Sequence, residues 1–275
     1  MTGYSYISLK SQARACLAYL LFVCAKAVPK RFHAPTAGKT RVLVFHHIDK
    51  PDRFRSILKL LKAHYNLISY SDYLNGDKAS DRLNIVVALD DGYRSWFTAG
   101  LPIFLELGIR PLLFINSDFV GLSENAAKNY CRDCILTWPE ASLSWDQVKA
   151  LVAAGAEVGG HSHRHTNLTK VEPSVVASVV RSDRLAIAAH LGSTPRLFAY
   201  PFGLYNSSVH TTLKHSGYEF AFTSDSSYLE KEDDPFLLKR TNVGLRRPLL
   251  VQAIAEGWAD RITAFMASIR RIRLS

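Results

Sequence analysis

No apolar run in this sequence reaches the roughly 18 residues that a membrane-spanning helix needs, so no segment reads as transmembrane. Cysteine is scarce, with four in 275 residues, and a disulfide framework is excluded. Acidic residues are outnumbered, 24 against 34 Lys and Arg, for a net charge of +10. That balance suits an anionic surface, a membrane or an acidic glycan. Zinc-finger spacing and an aromatic-rich RNA-binding signature are both missing, which argues against nucleic acid. Hydrophobic residues make up 48% and charged residues 21%, the composition of a globular chain long enough to bury a large core.

Residues 1–40 differ from the rest. Lys10 and Arg14 precede an apolar stretch from Ala15 to Cys24, followed by Ala25-Lys26-Ala27. The segment reads as a secretory signal or as an amphipathic helix on the domain or a membrane surface. From Arg41 short apolar runs alternate with helical patterns. The runs are Val42–Phe45, Ile85–Leu89, Leu112–Ile115, Glu157–Gly160, Leu197–Tyr200, Phe220–Thr223 and Leu237–Arg240. Helices are predicted after Phe54, through Leu107 with Gly108 as C-cap, from Ser144 with a capping-box glutamine at Gln147, from Glu172 to His190, and over 206–216. Apolar strands alternating with helices predict an α/β fold, a distorted (β/α)7 barrel, with an open doubly wound sheet as the alternative.

Residues 116–143 interrupt the rhythm. Cys131 and Cys134 there form a lone CxxC, which reads as a local disulfide or two thiols. The tail carries Leu250, Ile254, Trp258, Ile262, Phe265, Ile269 and Ile272 on one helical face, with Arg261, Arg270, Arg271 and Arg273 beside it. Packing on the barrel and a membrane-surface helix are the two readings.

Active sites of α/β barrels lie at the carboxyl ends of the strands. The first strand ends at His46-His47, the second at Asp90-Asp91-Gly92, the fourth at His161-Ser162-His163-Arg164-His165, and the fifth at Pro201-Phe202-Gly203. Adjacent carboxylates repel unless one binds a cation and the other works as a base. On a strand His161 and His163 share a face; on a helical turn His161 and His165 meet. Gly159-Gly160 favours the second pairing. One carboxylate and two imidazoles make an open site for a divalent metal, Zn²⁺ by ligand type, with Co²⁺, Ni²⁺ or Fe²⁺ as alternatives.

Three motifs occur in order: Leu89-Asp90-Asp91-Gly92-Tyr93, His161-Ser162-x-x-His165-x-Asn167-Leu168 and Phe198-Ala199-Tyr200-Pro201-Phe202-Gly203. Together they resemble the polysaccharide deacetylases (the NodB-homology domain). Val42 to His46, Trp145 and Lys239-Arg240 resemble the circularly permuted subgroup that includes poly-N-acetylglucosamine deacetylases. The resemblance covers residues 41–243, leaving a helical segment 1–40 and a basic amphipathic helix over 244–275. It implies metal-dependent N-deacetylation of N-acetylhexosamine units in an envelope glycan. Asp91, His161 and His165 would bind the metal, which activates the attacking water; Asp90 would be the base, and His46 would protonate the leaving amine, with His47 as rival. The Phe202 N–H would hold the oxyanion, and Tyr200 and Trp145 would line the sugar site.

The chain also departs from the family pattern. Ala88-Leu89 replaces the usual Phe or Ser, and Ala199 stands where many members carry the arginine that orients the base. Arg240 is its replacement or forms a surface salt bridge. No Leu-x-His motif follows. The competing functions are a deformylase or deacetylase of a lipid-linked sugar, which the basic termini suit, and an inactive glycan-binding module. The expected location is the cell envelope or a membrane surface, with the cytoplasm as alternative. The sequence assigns no oligomeric state.

Overall fold

The computed structural model describes residues 36–135 and 139–264. Residues 1–35 and 265–275, on which the secretory reading and the basic end of the tail fall, lie outside the described residues. In chain order the elements are β1 (Thr40–Phe45), α1 (Pro51–His64), β2 (Asn66–Leu67), α2 (Tyr70–Asn75), β3 (Asn84–Asp91), α3 (Leu101–Leu107), β4 (Leu112–Ile115), α4 (Glu124–Tyr130), α5 (Trp145–Ala153), β5 (Glu157–Gly160), α6 (Pro173–Leu191), β6 (Leu197–Ala199), α7 (Ser207–Lys214), β7 (Phe220–Phe222), β8 (Thr241–Asn242) and α8 (Pro248–Ala255).

The sheet runs β7-β6-β5-β4-β3-β1-β8, with every ladder parallel. Leu238 bridges to Phe222, while Thr241 and Asn242 pair with Leu43 and Val44. One short stretch therefore touches both edges and closes the sheet into the distorted (β/α)7 barrel. β2 pairs with the lower half of β3, on the edge that β4 takes higher up.

Period-two alternation sorts the strand residues. Val42, Val44, Val86, Ala88, Leu112, Phe114, Leu197, Ala199 and Phe222 form one buried cluster in the barrel interior. Leu43, Phe45, Ile85, Val87, Leu89, Leu113 and Ile115 face outward and pack with Phe54, Ile57, Leu58 and Leu61 of α1 and with the other helices. All eight residues of β3 are buried, as expected of a barrel strand covered on both faces. Asp90 falls on the interior register of β3.

Local signals place the helices. Ser144 Oγ accepts from Gln147 N–H while Gln147 Oε1 accepts from Ser144 N–H, so the capping box opens α5. Gly108 ends α3 with φ +62°, a conformation that costs glycine little. Gly159-Gly160 at the end of β5 is a packing requirement. A Cβ on Gly159 would lie 2.7 Å from Leu197 O, and one on Gly160 would lie 2.3 Å from Tyr218 OH.

Several expectations are corrected. The strand over Leu237–Arg240 reduces to the Leu238 bridge, and the ladder to β1 forms two residues later. The interruption at 116–143 contains α4 and a π-helical turn, Cys131–Ile135. Cys131 and Cys134 are free thiols, the second of the two readings of the CxxC. The tail is not one continuous face: α8 ends at Ala255, Gly257 takes φ +78°, and helix resumes to residue 264. Val251, Ile254 and Ala255 share the core with α1, so this part of the tail packs on the barrel.

A buried arginine anchors that tail. Arg41 is fully buried, donates to Thr241 Oγ1 at 3.1 Å and to Asp260 Oδ2 at 2.6 Å, and lies 4.1 Å over the Tyr228 ring. Removing the Asp260 carboxylate leaves a charged donor short of a partner. Asp260→Ala is expected to lower stability by about 1–3 kcal/mol, read from denaturant unfolding; an unchanged midpoint would detach the tail from the fold's energetics.

Candidate active site

The strand ends converge as the barrel requires. After β1, Trp96 Nε1–H donates to His46 O at 2.8 Å and Ile48 N–H to Ser95 Oγ at 2.9 Å, which fixes the turn carrying His46 and His47. Burial lowers the His46 pKa, and the Asp90 carboxylate partly offsets it. His47 sits farther out, edge-on to Tyr93 and 3.9 Å from Asp49.

At the end of β3 two adjacent carboxyls are driven apart. Asp90 is buried, and its Oδ1 accepts from Arg240 Nη1 at 2.7 Å. Burial pushes its pKa up, but the charges of Arg240, then His161 and His46, hold it below the ordinary value. Asp91 takes the opposite course: burial and then the Asp90 charge raise its pKa well above the ordinary value. Asp91 has φ +94°, a strained setting for a residue with a side chain. Neither of its oxygens has a well-formed hydrogen bond, and the nearby Tyr93 phenol favours its ionised form.

The end of β5 supplies the imidazoles. Ser162 at φ +63° and His165 at φ +50° turn the backbone sharply, and Thr166 N–H caps the turn on Ser162 Oγ at 2.9 Å. His161 Nδ1 lies 2.8 Å from Ala199 O, and His165 Nδ1 lies 3.3 Å from Cys134 O. Each Nδ1–H is thus committed to a carbonyl, leaving Nε2 as a lone-pair donor. Those Nε2 atoms lie 3.7 and 3.6 Å from Asp91 Oδ1. Burial pushes His161 down to about 4 and, with the His161 charge, holds His165 well below its ordinary value. Both rings are neutral near pH 7. His163 turns away to Ser117 Oγ at 2.8 Å, so the spacing-four pair is the one that converges.

Asp91, His161 and His165 are the one group of metal-capable side chains found among the described residues. Donors about 2.1 Å from a shared tetrahedral centre lie about 3.4 Å apart, close to the 3.7 and 3.6 Å from Asp91 Oδ1 to the two Nε2 atoms. The orphaned Asp91 oxygens and the two neutral Nε2 atoms fit a divalent ion.

The remaining assignments divide. Arg240 is buried, donates through Nε to Thr223 O at 2.7 Å and lies over the Phe114 ring. It is an interior partner of Asp90 and not a surface salt bridge. Phe202 has φ +60°; its half-exposed ring lies 4.4 Å from that of His165. The structure places the two aromatics proposed to line the sugar site in packing contacts. Tyr200 is fully buried and its hydroxyl donates to Phe236 O at 2.9 Å. Trp145 stacks on His190 at 4.0 Å and 8°. Both aromatics are occupied in packing. Sequence reasoning missed Asn116, which donates to His161 O at 2.7 Å and to Ser162 O at 3.1 Å. It is the first residue after β4, so reading every strand end would have found it.

The sequence model described as "Polysaccharide deacetylase" matches residues 77–221, more than half of the chain. The chain belongs to the polysaccharide deacetylase family. It is a hydrolase acting on amide bonds of polysaccharides. Among curated proteins it is 18% identical over 217 residues to a putative polysaccharide deacetylase, YxkH, of Bacillus subtilis (strain 168), covering 75% of this chain and 72% of that protein. Solved structures share the deacetylase fold. IcaB from Ammonifex degensii aligns at TM-score 0.66 and 22% identity, over 81% of this chain and 98% of that one. The Streptococcus pyogenes deacetylase PplD, in complex with acetate, aligns at 0.64 and 17%, over 80% and 99%. His46 and Arg240 fall outside the deacetylase match.

Removing Arg240 would leave Asp90 charged and buried without its counter-charge. Arg240→Met is expected to cost about 3–5 kcal/mol by denaturant unfolding and to raise the Asp90 pKa. A loss below about 1 kcal/mol would reduce the pair to the worth of an exposed one.

Proposed function

We propose that this deacetylase removes N-acetyl groups from N-acetylhexosamine units of a cell-envelope glycan in a metal-dependent reaction. The observation that carries the reading is the buried convergence of His161 Nε2, His165 Nε2 and Asp91 beside an Asp90 paired with Arg240. Asp91, His161 and His165 would hold the ion. A divalent ion there, zinc by ligand type, polarises the substrate carbonyl and makes water a stronger nucleophile.

The chain's own groups do the rest. Asp90 stays ionised, and Arg240 occupies its Oδ1 and leaves Oδ2 to accept the proton of the attacking water. The Phe202 N–H, in its left-handed turn, donates to the oxygen of the tetrahedral intermediate. His46 delivers a proton to the departing sugar nitrogen. Burial makes its imidazolium the stronger acid, and the Asp90 charge keeps that form accessible. Because Ala199 replaces the usual base-orienting arginine, Arg240 on the approach to β8 serves instead, which supports the permuted-subgroup reading. We take residues 41–243 as the deacetylase domain, since β1 and β8 close the barrel at its limits. No helix among the described residues is long and apolar enough to cross a membrane. The proposed envelope location rests on the substrate class.

Acetate release from N-acetylglucosamine oligomers tests the assignment. Asp90→Asn and His46→Ala are each expected to lower kcat by about 10²–10⁴-fold, while His47→Ala stays within a few-fold. Equal turnover of Asp90→Asn and wild type would overturn the base. Calorimetric titration with Zn²⁺ in buffers of different ionisation enthalpy reads the protons. Proton release on binding is expected from Asp91, whose pKa is raised, and not from His161 and His165, whose pKa values are lowered. Release of two or more would contradict the histidine states.

A further inference from the structure

A carboxyl group sits where the packing stripe of α6 calls for an aliphatic side chain. The buried residues of that helix are Val176, Val180, Asp183 and Ile187, spaced three or four apart on one face. Asp183 has no exposure at all. A carboxylate buried without donors is strongly unfavourable, so its donors show what it is for.

They belong to the two turns that carry the histidines. Asp183 Oδ1 accepts from Ser117 N–H at 3.1 Å. Ser117 Oγ meets His163 Nδ1 at 2.8 Å, and the preceding Asn116 amide holds the carbonyls of His161 and Ser162. On its other side the carboxyl lies against β5: a Cβ on Gly160, the residue before His161, would come within 2.4 Å of Asp183 Oδ2. Burial pushes the Asp183 pKa up to about 7, partly offset by Ser117 and by the nearby backbone amides of His161 and Ser162, and Oδ2 has no well-formed hydrogen bond. Asp183 thus holds the Ser117 turn directly and packs against the end of β5 that leads into His161, while Ala199 O and Cys134 O aim the two rings. A strained turn with two left-handed residues needs such support to persist.

We propose that Asp183 is a positioning residue for the metal site, fixing the Asn116–Ser117 turn and the His161–His165 turn so that the two Nε2 atoms converge on Asp91. The inference rests on the proposed metal role of Asp91, His161 and His165. Outer partners of metal ligands commonly tune affinity by about 10–100-fold.

The test uses the full chain stripped of metal and titrated with Co²⁺ alone, whose d–d absorption reports ligand geometry. Fold is monitored by circular dichroism, and kcat and KM for acetate release are measured alongside. Asp183→Ala is expected to fold, to bind Co²⁺ about tenfold or more weakly, to change the absorption bands, and to lose kcat with little change in KM. Asp183→Asn keeps an acceptor for Ser117 N–H and is expected to restore affinity and spectrum to within about threefold. A folded Asp183→Ala with wild-type affinity and spectrum overturns the proposal. If Asp183→Ala does not fold, Asp183→Leu, which fills the volume without an acceptor, carries the same readouts. If neither folds while Asp183→Asn does, Asp183 is a folding determinant only, and the proposal fails. Absence of Co²⁺ binding to the wild type would instead reject the metal assignment on which it rests.

Discussion

Two adjacent carboxyls buried at the end of β3 are the constraint around which the site is organised. Asp90 and Asp91 cannot both ionise in a low-dielectric interior without cations beside them. Arg240 supplies one positive charge, from a residue 150 positions away that only barrel closure brings near. Asp91 has no such partner, and its carboxyl favours the proton. Its folded pKa lies above the unfolded one, so its contribution to stability is present in acid and lost as pH rises. A divalent ion reverses that preference. The resulting split, one carboxylate ready to accept a proton and one ready to take a cation, follows from placement alone.

The scaffold holds this arrangement by opposed commitments. Both histidines give their Nδ1–H to backbone carbonyls, from β6 and from the turn after α4. Asn116 and Ser162 secure the turn between them. Asp91, Ser162, His165 and Phe202 are the non-glycine residues with positive φ in the described chain, and all four lie at the site. Strain concentrated there is the cost of aiming side chains that regular strands would direct elsewhere.

Much of this was legible because barrel strands announce their ends. Short apolar runs stopping at His46, Asp90-Asp91 and His161 mark where the chemistry lies. What sequence left open was three-dimensional. Gly159-Gly160 favoured His165 over His163, but the left-handed turn at Ser162 that turns His163 away was not visible, and Arg240 became interior only when the stretch before β8 closed the barrel. The surroundings of Tyr200 and Trp145 were hidden because an aromatic at an element's end packs as readily as it binds. Asp183 was hidden in an apolar helical stripe. The interruption at 116–143 concealed α4 and Cys134, whose contribution to the site is a backbone carbonyl with no side-chain signature.

The most direct test is an anomalous-scattering crystal structure of the protein grown with stoichiometric Zn²⁺. The account expects one strong peak about 2.0–2.2 Å from His161 Nε2, His165 Nε2 and an Asp91 oxygen, with Asp90 still paired to Arg240. A loaded crystal with its peak elsewhere, or with His163 or Asp90 as ligand in place of His165 or Asp91, would contradict it.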